Sequence, residues 1–143
     1  MLYSMDLTSN NIIFYILIVD DNEHDHFLLK KAINTVIPQT IIESLYNGSQ
    51  ALTFLNHCTS LPNLIFLDLN MPLLSGTEAI KVIRKNENLA KIPVIILTTN
   101  YSDSKKQEML KLGASDFYTK PLNPKDLIQI VEVVMDKWLL TNV

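Results

Sequence analysis

The run Leu64-Ile65-Phe66-Leu67-Asp68 leaves the chain few ways to fold. Four large apolar residues lead straight into a carboxylate, between the turn signals Leu61-Pro62-Asn63 and Pro72. The run is too short for a helix, and its unbroken apolarity suits a strand buried on both faces. Such strands belong to parallel sheets covered by helices on both sides. Asp68 then stands at the strand's carboxyl end, the edge where open α/β sheets bind ligands. A lone carboxylate buried there is costly unless something balances it.

Other strands follow the same pattern. Tyr15 to Val19 runs into Asp20-Asp21, Pro93 to Leu97 delivers Thr98, and a short Ser115 to Thr119 strand delivers Lys120-Pro121. Thr40 to Tyr46 is a strand with less apolar content. Helical spacing fills the gaps. Leu28, Leu29, Ala32, Ile33 and Val36 share one face after Asn22, a good N-cap with Asp25 three positions on as its acidic capping-box partner. Ser49 to Cys58 and Thr77 to Lys85 are shorter helices. A highly polar helix runs from the Ser102 cap to Leu112, with Gly113 as C-cap. The last opens at Pro124 and turns Leu127, Ile130, Val131, Val134 and Trp138 inward. Five strands alternating with five helices predict a doubly wound parallel sheet in one domain. Residues 1–11 are polar and mixed and are expected to form a flexible N-terminal tail, with the domain spanning 12–143.

Folding of that kind gathers Asp20, Asp21, Asp68, Thr98 and Lys120 on one edge. A like-charge pair about 4 Å apart costs on the order of 4 kcal/mol at an effective dielectric near 20, so the carboxylates require a cation. Mg²⁺ suits a few carboxylate or carbonyl oxygens plus water. Lys120 adds a second positive charge on a flexible stem, and Thr98 a neutral donor. Together they describe a site for a metal and a transferable phosphoryl group, with Asp68 as the attacking carboxylate.

Composition narrows the rest. A net charge of -3 gives no footprint for nucleic acid. The longest apolar run, Ile12 to Val19, is too short to span a bilayer, and Cys58 alone makes no disulfide framework. A cytoplasmic location is the expectation.

With these residues in hand, the chain resembles the response-regulator receiver domains of two-component signalling, of the stand-alone type. The matching motifs are Val19-Asp20-Asp21, Leu67-Asp68-Leu69-Asn70-Met71-Pro72, Leu97-Thr98, Gly113-Ala114-Ser115-Asp116-Phe117 and Thr119-Lys120-Pro121. Thr98 lies 30 positions after Asp68, and Lys120 22 after Thr98. The resemblance implies the flavodoxin-like sheet, strand order 2-1-3-4-5. It implies phosphorylation of Asp68 by a sensor histidine kinase, phytochrome-type included, or by a phosphotransfer protein. Asp20, Asp21, Asp68 and the backbone carbonyl of Asn70 would bind Mg²⁺, Asp20 mainly through water. Lys120 would contact the phosphoryl group, Thr98 would be the switch hydroxyl, and Phe117 the aromatic that turns inward with it. Pro121 would follow a cis peptide bond. Output would pass to a protein partner, or to a homodimer, through the fourth helix, fifth strand and last helix, with no output domain, nucleic acid or membrane involved. The chain would be no enzyme beyond its own phosphorylation and dephosphorylation.

A haloacid-dehalogenase-type phosphatase shares the aspartyl nucleophile but wants a second Asp where Asn70 stands. A pseudo-receiver that binds without phosphorylation is at odds with the complete acidic set. His24 and His26 flank Asp25, and a solvated helix terminus explains them more simply than a transition-metal site.

Overall fold

The computed structural model describes residues 4–6, 11–99 and 101–142. Strands β1 (Ser4–Asp6) and β2 (Asn11–Ile13) form a small antiparallel ribbon, Met5 opposite Ile12. Five parallel strands make the main sheet: β3 (Tyr15–Val19), β4 (Ile41–Leu45), β5 (Leu64–Leu67), β6 (Val94–Thr98) and β7 (Asp116–Thr119). Their order is β4-β3-β5-β6-β7, the predicted 2-1-3-4-5 counted from β3. Helices α1 (Glu23–Val36), α2 (Gly48–His57), α3 (Gly76–Lys85), α4 (Asp103–Leu112) and α5 (Pro124–Trp138) connect and close it.

The central strands explain why two faces are covered. Leu64 and Phe66 of β5 point one way, packing with Ile16, Ile18, Ile95 and Leu97 under α1 and α5. Ile65 and Leu67 point the other, with Leu17, Val19, Val94 and Ile96 under α2, α3 and α4. Alternation along a strand feeds both cores at once, so an all-apolar run is what a central parallel strand requires. Helix α4 is the exception among the helices, burying only Met109.

Helix starts obey the sequence. Asn22, Asn47, Ser75, Ser102 and Asn123 each accept a backbone N–H three residues on. Gly113 ends α4 at φ +111°, a left-handed position that a side chain would strain. Residues 1–11 depart from the expected tail where they are described. Ser4–Asp6 pairs with the chain entering β3, because Asn11–Ile13 offers a free strand edge just before the sheet begins. Residues 1–3 and 7–10 lie outside the described residues. The predicted cis bond is also corrected: the described residues contain no cis peptide, so Lys120–Pro121 is trans. Trans is the lower form even before proline, by about 0.5–1 kcal/mol, and the sequence motif alone does not reverse it.

Arg84 ties the far side of the sheet together. Its guanidinium donates to the carbonyls of Gly113 (2.7 Å), Ile92 (2.9 Å) and Ala90 (3.2 Å), and to Ser115 Oγ (3.3 Å). Burial lowers its pKa, but it stays charged. Arg84→Leu should lower stability by about 2 kcal/mol in urea unfolding, because several carbonyls lose their donors at once. An unchanged midpoint would mean that water replaces the guanidinium without loss.

Candidate functional site: an acidic pocket at the carboxyl edge

The sheet's ladder reaches one residue past its strands and sets the pocket. Asp20 N donates to Leu45 O (3.0 Å), Asp68 N to Val19 O (2.9 Å), and Lys120 N to Thr98 O (2.8 Å). The main chains of these three residues are therefore fixed by the last rungs of the sheet. Their side chains leave the same edge and meet above it. Carboxylate oxygens of Asp20, Asp21 and Asp68 lie within 4.8 Å of one another. Asp20 and Asp68 are buried, and Asp21 is exposed.

Lys120 Nζ lies 2.7 Å from Asp20 Oδ2, 2.8 Å from Asp25 Oδ2 and 3.6 Å from Asp68 Oδ2. Burial alone would lower the lysine pKa, but the hydrogen bonds to Asp20 and Asp25 together with the charges of Asp68 and Asp20 outweigh it and raise it, so the ammonium stays charged. The remaining oxygens are also held. Asp20 Oδ1 accepts Asn22 N and Asp68 Oδ1 accepts Leu69 N, both at 2.9 Å. Asp68 is nonetheless pushed above the usual carboxylate range. Burial raises it most, Lys120 opposes, and the Asp20 charge adds to the rise.

Thr98 is fully buried beside Asp68, and its Oγ1 makes no hydrogen bond of acceptable geometry. Its dipole still favours the ionised Asp68. A buried hydroxyl without a partner is costly to keep and calls for a reason.

The other expected residues fall as follows. Asn70 is exposed at the rim of the loop after β5. Phe117 already points inward, 4% exposed, with its ring edge-on to Tyr101 at 6.2 Å. The expected inward turn is thus already made, since a ring without a hydroxyl gains nothing from facing water. Its neighbour Tyr118 donates its hydroxyl to Asp116 Oδ2 (3.1 Å); burial and the Asp116 charge push that phenol up to about 12.

Two residues of α1 carry roles the sequence did not disclose. Asp25 was expected to complete a capping box, yet its carboxylate reaches Lys120. No local spacing signals that contact, since the lysine lies 95 positions along the chain. His26 was expected to be solvated and is instead fully buried. Its Nε2 lies 2.7 Å from Asp20 O and 3.1 Å from Leu45 O. Both partners are carbonyls, which only accept, so Nε2 carries the proton and donates. The ring also packs on Tyr46, centroids 4.5 Å apart, and fixes the loop bearing Asp20. His24 is exposed, so the two histidines do not converge on a metal.

An acidic cluster, a lysine and a buried threonine now stand at the edge of a 2-1-3-4-5 sheet. Residues 16–132 match the family described as the response regulator receiver domain. The chain belongs to that family. It is 33% identical over 131 residues to response regulator Rcp1 of Synechocystis, covering 88% of this chain and 89% of that protein. It is 34% identical over 133 residues to the probable methanogenesis regulatory protein FilR2 of Methanothrix harundinacea, covering 90% and 86%. Among solved structures, the phosphorylated cyanobacterial phytochrome response regulator RcpA superposes with a TM-score of 0.83 at 29% identity, covering 90% and 96%. The Mn²⁺-bound form of Rcp1 gives 0.79 at 33% identity over the same shares. This receiver therefore acts within two-component signalling, and its acidic cluster is compatible with the divalent-ion site of the family. Among the described residues no helix is long and apolar enough to cross a membrane.

Proposed function

We propose that this receiver accepts a phosphoryl group on Asp68 from a sensor histidine kinase or a phosphotransfer protein. The observation that carries the reading is the placement of Asp68 Oδ2, buried, 3.6 Å from a charged lysine and beside two further carboxylates. In the transfer, the phosphorus–nitrogen bond of a phosphohistidine breaks and a phosphorus–oxygen bond to Asp68 forms. The departing imidazole takes its proton from solvent.

The three aspartates fit a hard divalent cation, since their oxygens lie close enough to share one ion. Asp20, Asp21 and Asp68 would hold Mg²⁺, with the Asn70 carbonyl as a further ligand. Once bound, the ion neutralises charge on the phosphoryl oxygens. Lys120 is placed to donate to one of those oxygens, and Thr98 to another. Drawing Thr98 onto the phosphoryl group gives its hydroxyl the partner it lacks. The change passes to β7 and to the turn before α4, where Phe117 and Tyr101 pack edge-on.

The chain then acts on nothing but its own phosphorylation state. Signal leaves through a protein partner, or a second copy, at the face of α4, β7 and α5. The likeness to RcpA, a phytochrome response regulator, supports a phytochrome-type kinase as donor. The phosphatase alternative has no observation in its favour, since Asn70 cannot serve as its second acid.

Incubation with candidate kinases, labelled ATP and Mg²⁺, beside an Asp68→Ala control, tests the reading. Label should appear on the wild-type chain only. Label on the control would place the acceptor elsewhere, and no label from any kinase or small acyl phosphate would favour binding without phosphorylation.

Thr98→Val should change stability by less than about 1 kcal/mol, because the hydroxyl's unmet hydrogen bond and its favourable dipole on Asp68 oppose each other. The variant should still take up label but lose the phosphorylation-dependent shift of the Tyr101 ring against Phe117, read by NMR. A larger loss of stability would show that the hydroxyl is already satisfied in solution.

A further inference from the structure

The ammonium of Lys120 is shared unequally among its carboxylates. Two short contacts bind it to Asp20 and Asp25, and Asp68 stands beyond hydrogen-bond reach at 3.6 Å. Asp25 comes from the first turn of α1, where its own N–H is held by the Asn22 cap at 2.9 Å. Its carboxylate is thus presented by a capped helix end, 95 positions along the chain from the lysine it meets. No receiver motif quoted above contains it.

We propose that Asp25 is a positioning residue of the phosphoryl-transfer site: it holds the Lys120 ammonium away from Asp68 until a phosphoryl group arrives there. The inference rests on Asp68 being the acceptor. The lysine has three protons, and two are committed to Asp20 and Asp25. A phosphoryl group on Asp68 brings a charge near -2 and three strong acceptor oxygens, and it competes for the ammonium. The third proton is free, but Asp68 Oδ2 stands at 3.6 Å, so the ammonium must move toward it and lengthen one of its two present contacts. Asp20 is buried and also anchored by Asn22 N, whereas the Asp25 side chain is 31% exposed. Water solvates the released Asp25 far better than a released Asp20, so the ammonium pivots on Asp20 and leaves Asp25. The contact therefore stabilises the unphosphorylated state selectively, and its removal favours the phosphorylated one.

Beryllofluoride, which mimics a phosphoryl group on a carboxylate, serves as the probe in the presence of Mg²⁺. Asp25→Asn should bind it about fivefold more tightly than wild type, the scale of one partly exposed ion pair. Asp25→Glu should return the wild-type affinity. In metal-free protein, the Lys120 ammonium protons should exchange with water faster in Asp25→Asn than in wild type, read by ¹⁵N NMR of the lysine Nζ.

Repeating the Asp25→Asn comparison in a Lys120→Gln background separates positioning from simple charge removal. The gain should disappear there; if it persists, Asp25 acts by its charge alone and the proposal falls. Equal or weaker binding by Asp25→Asn, or unchanged Lys120 exchange, also overturns it while leaving Asp68 as the acceptor. Failure of the wild-type chain to bind beryllofluoride would remove both the inference and the reading beneath it.

Discussion

An Asp68→Asn variant should take up no phosphoryl group and yet melt above the wild-type protein. Loss of uptake follows from removal of the nucleophile, since an amide oxygen forms no acyl phosphate under these conditions. The gain in stability follows from the pocket's electrostatics. Asp68 is buried next to the carboxylates of Asp20 and Asp21, and Lys120 gives its short contacts to others. Burial of the charge is the largest cost, and the attraction of Lys120 offsets it only in part, with the Asp20 charge adding to it. A net gain of about 1 kcal/mol would raise the melting temperature by about 2–4 °C in a chain of this size.

Acidity gives the sign. The folded Asp68 carboxyl is raised above its ordinary range, so the fold disfavours its charged form. Below the ordinary carboxylate range Asp68 is neutral in both states and costs nothing. As pH rises through the raised value, the wild type loses stability relative to the variant. Melting of both chains in chelator, at acidic and at neutral pH, should show the gap opening toward neutrality. A gap that is absent at neutral pH, or widest in acid, would mean that Lys120 fully compensates the cluster. The cost is of the kind that active sites retain because function needs the strained group.

Much of this arrangement was legible because burial on two faces leaves a plain mark. Leu64 to Leu67 and Val94 to Leu97 admit few structures other than central strands, and the polar residue ending each run marks the functional edge. The companions of Lys120 were harder to read. Asp25 looks like a helix cap because local spacing satisfies that role, and its backbone does fill it. Only the packing of α1 beside α5, whose leading loop carries Lys120, brings the carboxylate to the lysine, and no periodicity records that packing. His26 was misread for a related reason. A histidine in a polar first turn resembles a solvated residue until two carbonyls, from the β3 end and from β4, are found at its Nε2. The Ser4–Asp6 pairing depends on a neighbouring free edge rather than on its own composition.

Gly76→Ala should both destabilise the fold and impair transfer, and the pairing of the two effects is the informative part. A Cβ at Gly76 would clash with Asp68 O and lie 2.9 Å from Leu69 Cα. Both are main-chain atoms, and the Asp68 main chain is already tied to Val19 O while Gly76 N holds Leu69 O at 3.1 Å. Neither side can yield without moving the loop that carries the acceptor. Overpacking of this kind costs about 3 kcal/mol. A displacement approaching 1 Å at a reacting group slows transfer by about 100-fold. Gly48→Ala supplies the comparison, since its Cβ would clash with Leu74 O, on the same loop but six residues beyond Asp68. It should lose similar stability in urea while keeping most of its label uptake. If both variants lost uptake equally, loop integrity would be the requirement; if neither did, the carboxyl edge would be softer than its hydrogen bonds imply. A selective loss in Gly76→Ala ties the function to one close approach, in which the helix after the acceptor is packed onto the acceptor's own carbonyl.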